Sequence, residues 1–339
     1  MGISIIVGGQ YGSEGKGKVA YCWAKKMKAK AAVRVGGSNS GHIVYDENNK
    51  KYAFRMLPTA VLQEGIVAVL PAGAYLDLSV LMAEISRTGI AADKLKIDPN
   101  AVVIKEEYKE VEESMKLRNK VGSTLSGTGA AVIARIKRDT DKITFAKDIP
   151  ELQPYLDNTK TYLRTLLDAG EHIVIEGTQG YGLSNYHSEH YPYVTSRDTT
   201  AAAFLAETGL SPFDVEHIVL VIRAFPIRVA GNSGPLKNEI DWQTVSDESG
   251  SETYVEEKTT VTGNVRRVAR FDEEIVKAAI CANNPDYVVL NHVDYIDYEN
   301  QNNDSCSKKQ RAFVHSLEEL IERKIDFVGN GLMHMMEFV

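Results

Sequence analysis

Short runs of apolar, mostly β-branched residues recur along the chain, and each run ends at a glycine-rich or charged segment. Continuous apolar runs of this length are typical of parallel strands that are buried on both faces. They extend from Ile3 to Val7, Ala31 to Val35, Ile66 to Leu70, His172 to Ile175, His217 to Ile222 and Tyr287 to Leu290. The pattern therefore predicts a parallel sheet.

Stretches with helical character lie between several of these strands, namely Gly17 to Lys30, Ser79 to Arg87 and Thr159 to Ala169. Strands that alternate with helices in this way form an α/β fold, in which a mostly parallel central sheet is flanked by helices. The chain shows neither an internal repeat nor a low-complexity segment, so we predict one α/β domain over residues 1–339.

Two polar tracts interrupt the alternation, Asp241 to Lys258 and Glu299 to Lys309. The first is acidic and rich in serine, a composition that favours disorder over packing against a core. We expect this tract to be a mobile excursion. Neither tract has the character of a domain linker.

Composition and charge narrow the functional classes. The chain carries 39 basic and 46 acidic side chains, and no lysine or arginine block is long enough to follow a phosphate backbone, so nucleic acid is not expected as a partner. The cysteines Cys22, Cys281 and Cys306 have no metal-binding spacing, which favours a reducing compartment without disulfides. Because no signal peptide or long apolar run is present, we expect a soluble cytoplasmic protein without membrane contact.

The first strand is followed by a glycine-rich loop that leads into a predicted helix, with the sequence GGQYGSEGKGK from Gly8 to Lys18. Glycines allow backbone N–H groups to turn towards phosphate oxygens, and lysines neutralise a triphosphate. Val19 stands where a standard P-loop has the Ser or Thr that holds magnesium, so another group must bind the metal. The alternative is a tight turn with solvated lysines. The loop predicts a triphosphate site formed by Ser13, Glu14, Gly15, Lys16, Gly17 and Lys18.

The second strand ends in another glycine-rich loop, GGSNSGH from Gly36 to His42. Beside a phosphate site, such a loop can offer a backbone carbonyl to magnesium and the imidazole of His42 to a phosphoryl group in transfer. The alternative is an ordinary loop histidine. Its place directly after the second strand favours the catalytic interpretation.

Together, these two loops resemble the signatures of adenylosuccinate synthetases, usually written GDEGKGK and GGxNAGH. Further similar motifs follow in the family's order: GST from Gly122, EGTQG from Glu176, YPYVTS from Tyr191 and TTVTG from Thr259. The resemblance implies a P-loop-NTPase-like fold and a homodimeric, Mg²⁺-dependent ligase. Such an enzyme phosphorylates O6 of a purine monophosphate with a nucleoside triphosphate, and the amine of L-aspartate then displaces the phosphate.

The resemblance also assigns roles to individual residues. Lys16 contacts the phosphates, His42 stabilises the 6-oxyanion and the transferring phosphoryl group, and Mg²⁺ is bound by the Gly41 carbonyl and Ser13. Arg138 reaches across the dimer to the partner's monophosphate, with Arg135 as the nearby competitor. The purine monophosphate is held by Ser13, Asn39, Ser123, Thr124, Arg138, Gln179 and Thr195.

By the same resemblance, a loop formed by Thr260, Val261, Thr262 and Arg266 closes over aspartate. Arginine suits this role because its planar fork meets a carboxylate through two hydrogen bonds. The sequence departs from the family's TTGRxRR pattern, because Asn264 stands where the first arginine is expected.

Asn291, His292 and Asp294 end the last predicted buried strand, and their spacing resembles the base-recognition turn of GTP-binding folds. An aspartate there accepts hydrogen bonds from guanine N1–H and N2–H, while a lysine stem usually covers the base. His292 replaces that lysine. Asp294 favours guanine, whereas the substitution favours a different donor.

Ser13 is the departure with the largest consequence. Family members that act on IMP have aspartate here, as the base that takes the N1 proton, and a serine hydroxyl does not act as a general base at neutral pH unaided. Serine at this position resembles the phage-encoded branch of the family, the 2-aminoadenylosuccinate synthetases, which act on dGMP in the supply of diaminopurine for viral DNA. This resemblance implies ATP as donor, with GTP the less favoured choice.

Other hypotheses stay open. One keeps IMP and GTP as substrates, with a carboxylate such as Glu14 replacing the missing aspartate. Another is a nucleotide-dependent switch that has lost its chemistry. A dinucleotide-binding oxidoreductase is the weakest, because lysines inside the glycine loop suit phosphate transfer better than a neutral pyrophosphate turn.

Overall fold

The structure, a computed structural model, describes residues 2–138, 141–259 and 263–339. Within these ranges the strands, in chain order, are β1 Ile3–Gly8, β2 Ala31–Arg34, β3 His42–Tyr45, β4 Lys51–Phe54, β5 Val67–Leu70, β6 Tyr75–Leu76, β7 Leu95–Ile97, β8 Val102–Val103, β9 Ile173–Glu176, β10 Val215–Arg223, β11 Ile227–Arg228, β12 Glu239–Ile240, β13 Arg267–Ala269, β14 Tyr287–Asn291, β15 Phe327–Gly329 and β16 Met335–Glu337. Each run of apolar residues that predicts a strand lies on one of these strands to within about two residues.

The α-helices lie mainly between the strands. In chain order they are α1 Lys16–Met27, α2 Leu78–Thr88, α3 Glu106–Ser114, α4 Leu117–Val121, α5 Thr128–Lys137, α6 Thr159–Asp168, α7 Ala201–Thr208, α8 Trp242–Ser249, α9 Glu273–Asn283 and α10 Lys308–Ile321. The sequence predictions of α1, α2 and α6 are confirmed.

The central sheet has the strand order β16-β15-β14-β10-β1-β9-β2-β5-β7. All neighbouring pairs are parallel except β15 with β16, which is antiparallel. A mostly parallel sheet flanked by helices is the fold class that the sequence pattern predicts. β1 lies in the middle, between β10 and β9, so the glycine-rich loop after it starts at the centre of the sheet.

The apolar side chains of β1 explain why it is central. Ile3, Ile5 and Val7 pack into one core with α7, α9 and α10, while Ile6 packs into a second core with Trp23 of α1 on the opposite face. A strand buried on both faces needs apolar residues on both, which is why these runs are continuous.

The carboxyl ends of the parallel strands place the predicted site loops at one edge of the sheet. β1 leads into the first glycine loop, β2 into the second, β9 into the EGTQG motif and β14 into Asn291 and the turn that follows. Ligands of open α/β sheets bind at this edge. The topology thus gathers motifs that are far apart in sequence.

The expectation of a mobile excursion from Asp241 to Lys258 is wrong for much of its length. α8 lies within this tract, and its residues Trp242 and Val245 are buried in a small core with Phe225 and Val268. Asp241 caps the helix by accepting a hydrogen bond from the Thr244 amide. The polar composition hides an amphipathic helix whose few apolar residues all face one side.

No helix among the described residues is long and apolar enough to cross a membrane.

His172, a buried residue directly before β9, predicts that acid destabilises the folded protein. His172 Nε2 lies 2.8 Å from Ser4 Oγ, which accepts a hydrogen bond from the Trp23 indole. Burial, above all, lowers the pKa of His172 to about 4. His172 therefore binds its proton near pH 6.5 in the unfolded chain but only near pH 4 in the folded chain. The free energy of unfolding should then fall as the pH falls through this interval.

Chemical unfolding at intervals between pH 4 and 7 measures this effect. We expect His172→Gln to show a shallower loss of stability with acid than the wild type. His315→Gln changes an exposed histidine of α10 and is the comparison, which should alter the slope less than His172→Gln does. Equal slopes in all three proteins would contradict the role of His172.

Candidate active site

The first glycine loop leaves the N-terminus of α1 available to an anion. Its N-cap residue is Gly15, with φ of +89°, and in the described part of the chain no side chain caps the helix. By contrast, α2, α6 and α7 are capped by Asp77, Asn158 and Thr200. A Cβ on Gly15 would lie 2.6 Å from Asn291 Nδ2, so this turn requires glycine for space as well as for its φ angle.

Glu14 organises the loop from inside. Its side chain is fully buried, and Oε1 accepts hydrogen bonds from the amides of Gln10, at 3.1 Å, and Gly12, at 2.8 Å. Oε2 pairs with Lys16 Nζ at 2.6 Å. The Glu14 carboxylate is therefore engaged by the loop and by Lys16, which weakens the hypothesis that Glu14 acts as the base in place of the missing aspartate.

Lys18 lies on the far side of the same loop. Its Nζ donates to the carbonyl oxygens of Gly331, at 3.0 Å, and His334, at 3.5 Å. Burial lowers its pKa. Lys18 therefore connects the first glycine loop to the segment between β15 and β16.

His42 is held by a buried ionic network. Its Nδ1 lies 2.5 Å from Glu176 Oε1, and Arg34 Nη1 lies 2.6 Å from Nδ1 and 3.1 Å from the same carboxylate oxygen. Burial, and then the positive charge of Arg34, lower the pKa of His42 to about 3. The ring is thus neutral near pH 7. Because a carboxylate can only accept, Nδ1 carries the proton when it donates to Glu176, and Nε2 is then the acceptor, 3.3 Å from Arg34 Nη1.

Glu176 is fully satisfied as a carboxylate. Burial would raise its pKa, but the hydrogen bond to His42 and the charge of Arg34 outweigh this effect and hold the pKa below its usual value. Its Oε2 accepts from the Thr59 amide and hydroxyl, at 2.7 and 2.8 Å.

A Cβ on Gly17 would lie 2.7 Å from His42 Cβ, so glycine there lets α1 approach the histidine closely.

A second network fixes the backbone at Ser13. Arg223, at the end of β10, is fully buried and donates through Nη1 to the Ser13 carbonyl at 2.9 Å. Its Nη2 pairs with Glu257 Oε1 at 2.5 Å. Burial would raise the pKa of Glu257, but Arg223 and His292 lower it to about 2. This pair holds Ser13 in a left-handed conformation, with φ of +58°.

The loop with the GST motif is organised in the same way by Glu112 of α3. Its buried carboxylate accepts hydrogen bonds from the amides of Gly127, Gly129 and Ala130, at 3.0, 2.9 and 3.3 Å. These amides belong to the first turn of α5. Glu112 therefore fixes the loop that carries Ser123 and Thr124.

One cavity of about 1020 Å³ unites most of the predicted substrate residues. Its size is sufficient for a nucleotide and a second small substrate. The predicted site residues on its wall are Ser13, Lys16, Asn39, Gly41, His42, Ser123, Thr124, Gln179, Thr195 and Arg266. Asn39 Nδ2 also lies 3.5 Å from Thr195 Oγ1, so residues from two distant motifs meet directly.

The predicted aspartate loop is only partly described. Thr260, Val261 and Thr262 lie outside the described residues, whereas Arg266 and Asn264 line the cavity. The backbone carbonyl of Arg266 accepts a hydrogen bond from the indole of Trp242 at 2.7 Å. α8, which the sequence suggested to be mobile, therefore anchors this arginine.

Among the predicted triphosphate residues, Ser13, Lys16, Gly41 and His42 line the cavity, whereas its wall does not include Glu14, Gly15, Gly17, Lys18, Asn291, His292 and Asp294. Glu14, Gly15, Gly17 and Lys18 form the loop and the start of α1. Asn291 is fully buried, and its Nδ2 donates to the Glu14 carbonyl at 2.7 Å, so its side chain supports the first glycine loop. Desolvation, and then Arg223, lower the pKa of His292 to about 4.

Arg138 lies outside the cavity of its own chain. It is exposed at the C-terminal end of α5, while the competing Arg135 donates to the Ala72 carbonyl at 2.7 Å. Ile133 and Ile136 on the same helix are 49% and 72% exposed and lie at the cavity rim.

Several residues that shape the site escaped sequence reasoning, namely Arg34, Glu112, Glu176, Arg223 and Glu257. For Glu176 a signal existed, because it opens the EGTQG motif directly after a strand. The others stand in ordinary surroundings, and only the folded chain shows that they face the site.

Comparison with known proteins agrees with this geometry. A sequence model of adenylosuccinate synthetase matches residues 5–148 and 141–301 of the chain. The chain belongs to the adenylosuccinate synthetase family. It is thus related to nucleotide-dependent ligases of purine biosynthesis.

Curated relatives support the assignment over the full length. The adenylosuccinate synthetase of Methanococcus aeolicus is 34% identical over 338 residues, covering 98% of this chain and 97% of that protein. The enzyme of Thermococcus onnurineus is also 34% identical, over 342 residues and with the same coverage.

Solved structures of the adenylosuccinate synthetase fold are similar as well. The succinoaminodeoxyadenylate synthetase (PurZ) of cyanophage S-2L, solved with dGMP and with dATP as an energy donor, gives a TM-score of 0.81 at 29% identity, covering 99% of this chain and 95% of that one. The fully ligated adenylosuccinate synthetase of Plasmodium falciparum gives 0.84 at 19% identity over the whole of both chains, which supports the fold.

Proposed function

We propose that this protein joins L-aspartate to C6 of dGMP, with hydrolysis of ATP to ADP and phosphate, and forms N6-succino-2-amino-2'-deoxyadenylate. The observation that carries the proposal is Ser13, a residue without a carboxylate, on the wall of the substrate cavity beside Lys16 and His42. The cyanophage relative, solved with dGMP and dATP, supports the same substrate class. Host cytoplasm and the supply of diaminopurine for phage DNA belong to this proposal.

Serine suits dGMP because the two candidate bases differ at C2, next to N1. Guanine carries an amino group there, and hypoxanthine carries only hydrogen. Serine is smaller than aspartate and uncharged, so the cavity gains room beside C2. Arg223 holds the backbone carbonyl of Ser13, whose φ is +58°, so the backbone of this residue has a defined place.

An ordinary adenylosuccinate synthetase that uses IMP and GTP is the second candidate. It is favoured by the curated relatives at 34% identity, which are named adenylosuccinate synthetases. The engagement of Glu14 by Lys16 and two loop amides argues against it, since no spare carboxylate is then available in this loop to take the N1 proton.

The residues present fit a magnesium ion. Among the described residues no group of three or more His, Cys, Asp or Glu side chains is placed to hold a metal, which excludes a metal cage built by such side chains alone there. Mg²⁺ commonly takes one or two protein oxygens and completes its shell with phosphates and water. The Gly41 carbonyl and the Ser13 hydroxyl, both on the cavity wall, are suitable oxygens. When bound, the ion would neutralise charge on the transferring phosphoryl group.

The roles of the chain's own residues follow from their contacts. Lys16 is placed to neutralise phosphate charge at the start of α1, where the helix dipole also attracts anions. His42 lies on the cavity wall as a neutral ring. An anionic phosphoryl group or 6-oxyanion beside it favours protonation, and Glu176 stabilises the resulting imidazolium through Nδ1.

A substrate panel tests the proposed function. Purified protein is supplied with L-aspartate, Mg²⁺, ATP and GTP, and with dGMP, GMP, IMP or AMP, and succinylated products are separated by chromatography. We expect product from dGMP in preference to IMP. Preference for IMP would establish the second candidate. Triphosphate hydrolysis without aspartate, and no succinylated product, would indicate a nucleotide switch.

We further propose a homodimer in which Arg138 completes the partner's dGMP site. Its exposure at the end of α5, outside its own cavity, supports this, as do the exposed isoleucines on the same helix. Arg138→Ala should raise the KM for dGMP by at least about tenfold, the usual scale for one lost charged hydrogen bond.

Mixing two impaired chains tests the shared site. When Arg138→Ala and His42→Ala chains exchange subunits, one of the two sites in a mixed dimer contains both intact residues, so part of the activity should return. Arg135→Ala in place of Arg138→Ala serves as the comparison and should give no such complementation. A lack of recovery, with exchange shown by mass spectrometry, would contradict sharing.

A further inference from the structure

Asp294, the residue expected to recognise guanine, is already engaged by the protein itself. Only 4% of its surface is exposed. Its Oδ1 accepts a hydrogen bond from the Gly331 amide at 3.1 Å, and its Oδ2 accepts one from Gln301 Nε2 at 3.2 Å. Both carboxylate oxygens thus have a donor within the chain.

The segment that supplies Gln301 packs tightly over this site. Gly331 has φ of +88°, and a Cβ there would lie 2.1 Å from Asn302 Oδ1 and 3.1 Å from Gln301 Cγ. The Gly331 carbonyl accepts from Lys18 of the phosphate loop. One residue therefore links Asp294, the Gln301 segment and the triphosphate loop.

Because Gln301 already pairs with the Asp294 carboxylate, the free-energy cost of placing guanine or adenine beside it changes. Guanine offers N1–H and N2–H to an aspartate, but here it must first displace the Gln301 amide. Adenine has no such pair of donors, and an exposed carboxylate would be left unpaired beside it at a high cost. With Gln301 in place, Asp294 stays paired whichever base binds, so adenine carries no such penalty.

The neighbouring His292 agrees with this picture. It stands where a lysine stem would cover the base, and its low pKa keeps it neutral near pH 7. Its ring lies 5.2 Å from that of Tyr295. A neutral ring contributes no charge that would distinguish the purine bases.

We propose that Gln301 is a specificity-determining residue for the energy donor, and that by pairing with Asp294 it suppresses selection of guanine and admits adenine nucleotides. This inference rests on the proposed function, because it places the donor's base next to Asp294.

The experiment measures binding of ADP and of GDP, each with Mg²⁺, by calorimetry, together with kcat/KM for ATP and GTP with dGMP and aspartate. Gln301→Ala should shift both GDP-to-ADP and GTP-to-ATP preference towards guanine by at least about tenfold, the scale of one hydrogen bond to a charged group. The double variant Gln301→Ala with Asp294→Asn should abolish this shift, because the gain depends on the freed carboxylate.

Asn303→Ala is the matched control. Asn303 lies in the same segment, but its side chain donates to Asn300 Oδ1 and not to Asp294, so the donor preference should stay as in the wild type. An unchanged preference in folded Gln301→Ala, a shift that persists in the double variant, or exclusive use of guanine nucleotides by the wild type would each overturn the inference. If the wild type binds ADP and GDP but forms no succinylated product, the ligase proposal is refuted, while the inference about Gln301 is still tested by the binding measurements.

Discussion

Replacing His42 with alanine is expected to lower kcat by at least about a hundredfold, the usual scale for loss of a group that stabilises charge in the transition state. The reason lies in its surroundings. The ring is buried, neutral near pH 7, held by Glu176 and Arg34, and lies on the cavity wall, where it can meet the developing charge. Steady-state turnover with dGMP, aspartate and ATP measures the effect, while circular dichroism and thermal unfolding establish that the variant is folded.

Two further variants separate catalysis from structure. Glu176→Gln keeps the size of the side chain but removes the charge that would stabilise a protonated His42, so we expect reduced kcat and an altered pH–rate profile. His315→Ala makes the same change as His42→Ala on the exposed face of α10 and should leave turnover intact. Near-normal turnover in folded His42→Ala would refute the role of this histidine.

We expect Lys16→Ala to lower kcat by a factor similar to that for His42→Ala, but for a different physical reason. Lys16 carries positive charge to the start of α1, where the triphosphate is predicted to lie. Its removal also leaves the fully buried carboxylate of Glu14 without its cation. A destabilised fold is therefore part of the expected result, and turnover must be compared at a temperature well below the unfolding transition. Lys16→Arg, which keeps the charge, should retain folding better than the alanine variant.

Replacing Ser13 with aspartate should shift the kcat/KM preference from dGMP towards IMP by at least about tenfold. The new carboxylate would occupy space beside C2, where guanine carries its amino group, and would restore a group able to take the N1 proton, a contribution of about a hundredfold or more in other enzymes. Ser13 has φ of +58°, a region that Asp and Asn tolerate, so the backbone can accept the change. The measurement is succinylated product from dGMP and IMP in competition.

Ser13→Asn distinguishes the two physical effects of this change. It has nearly the volume of aspartate but cannot accept a proton, so it should disfavour dGMP without giving efficient turnover of IMP. If Ser13→Asp leaves the ratio of dGMP to IMP unchanged, position 13 does not select the substrate, and the distinction must come from elsewhere on the cavity wall.

Much of the scaffold follows from local patterns in the sequence. The strands that form the middle of the sheet are buried on both faces, and this requirement produces the continuous apolar runs from which they were predicted. One element that these patterns did not reveal is α8, where Trp242 and Val245 are the apolar residues that pack within a tract of polar residues. Sparse apolar residues on one helical face leave too weak a signal for composition to reveal.

The chemistry that we propose for the two glycine loops likewise follows from the sequence. A run of glycines and lysines between a strand and a helix has few structural uses other than binding phosphate, so Lys16 and His42 could be identified from it. The role proposed for Ser13 also follows from the sequence alone, because it depends on serine standing where other members of the family have aspartate.

Only the tertiary structure decided which groups these residues meet. The partners of His42 and Ser13 stand on other strands: Glu176 ends β9, and Arg223 ends β10. The same is true of Asp294, whose sequence context predicts guanine recognition while its contacts with Gln301 and Gly331 occupy both oxygens. The physical reason is that a parallel sheet brings the ends of distant strands to one edge, so the hydrogen bonds that set charge and specificity depend on the strand order and leave no periodic trace along the chain.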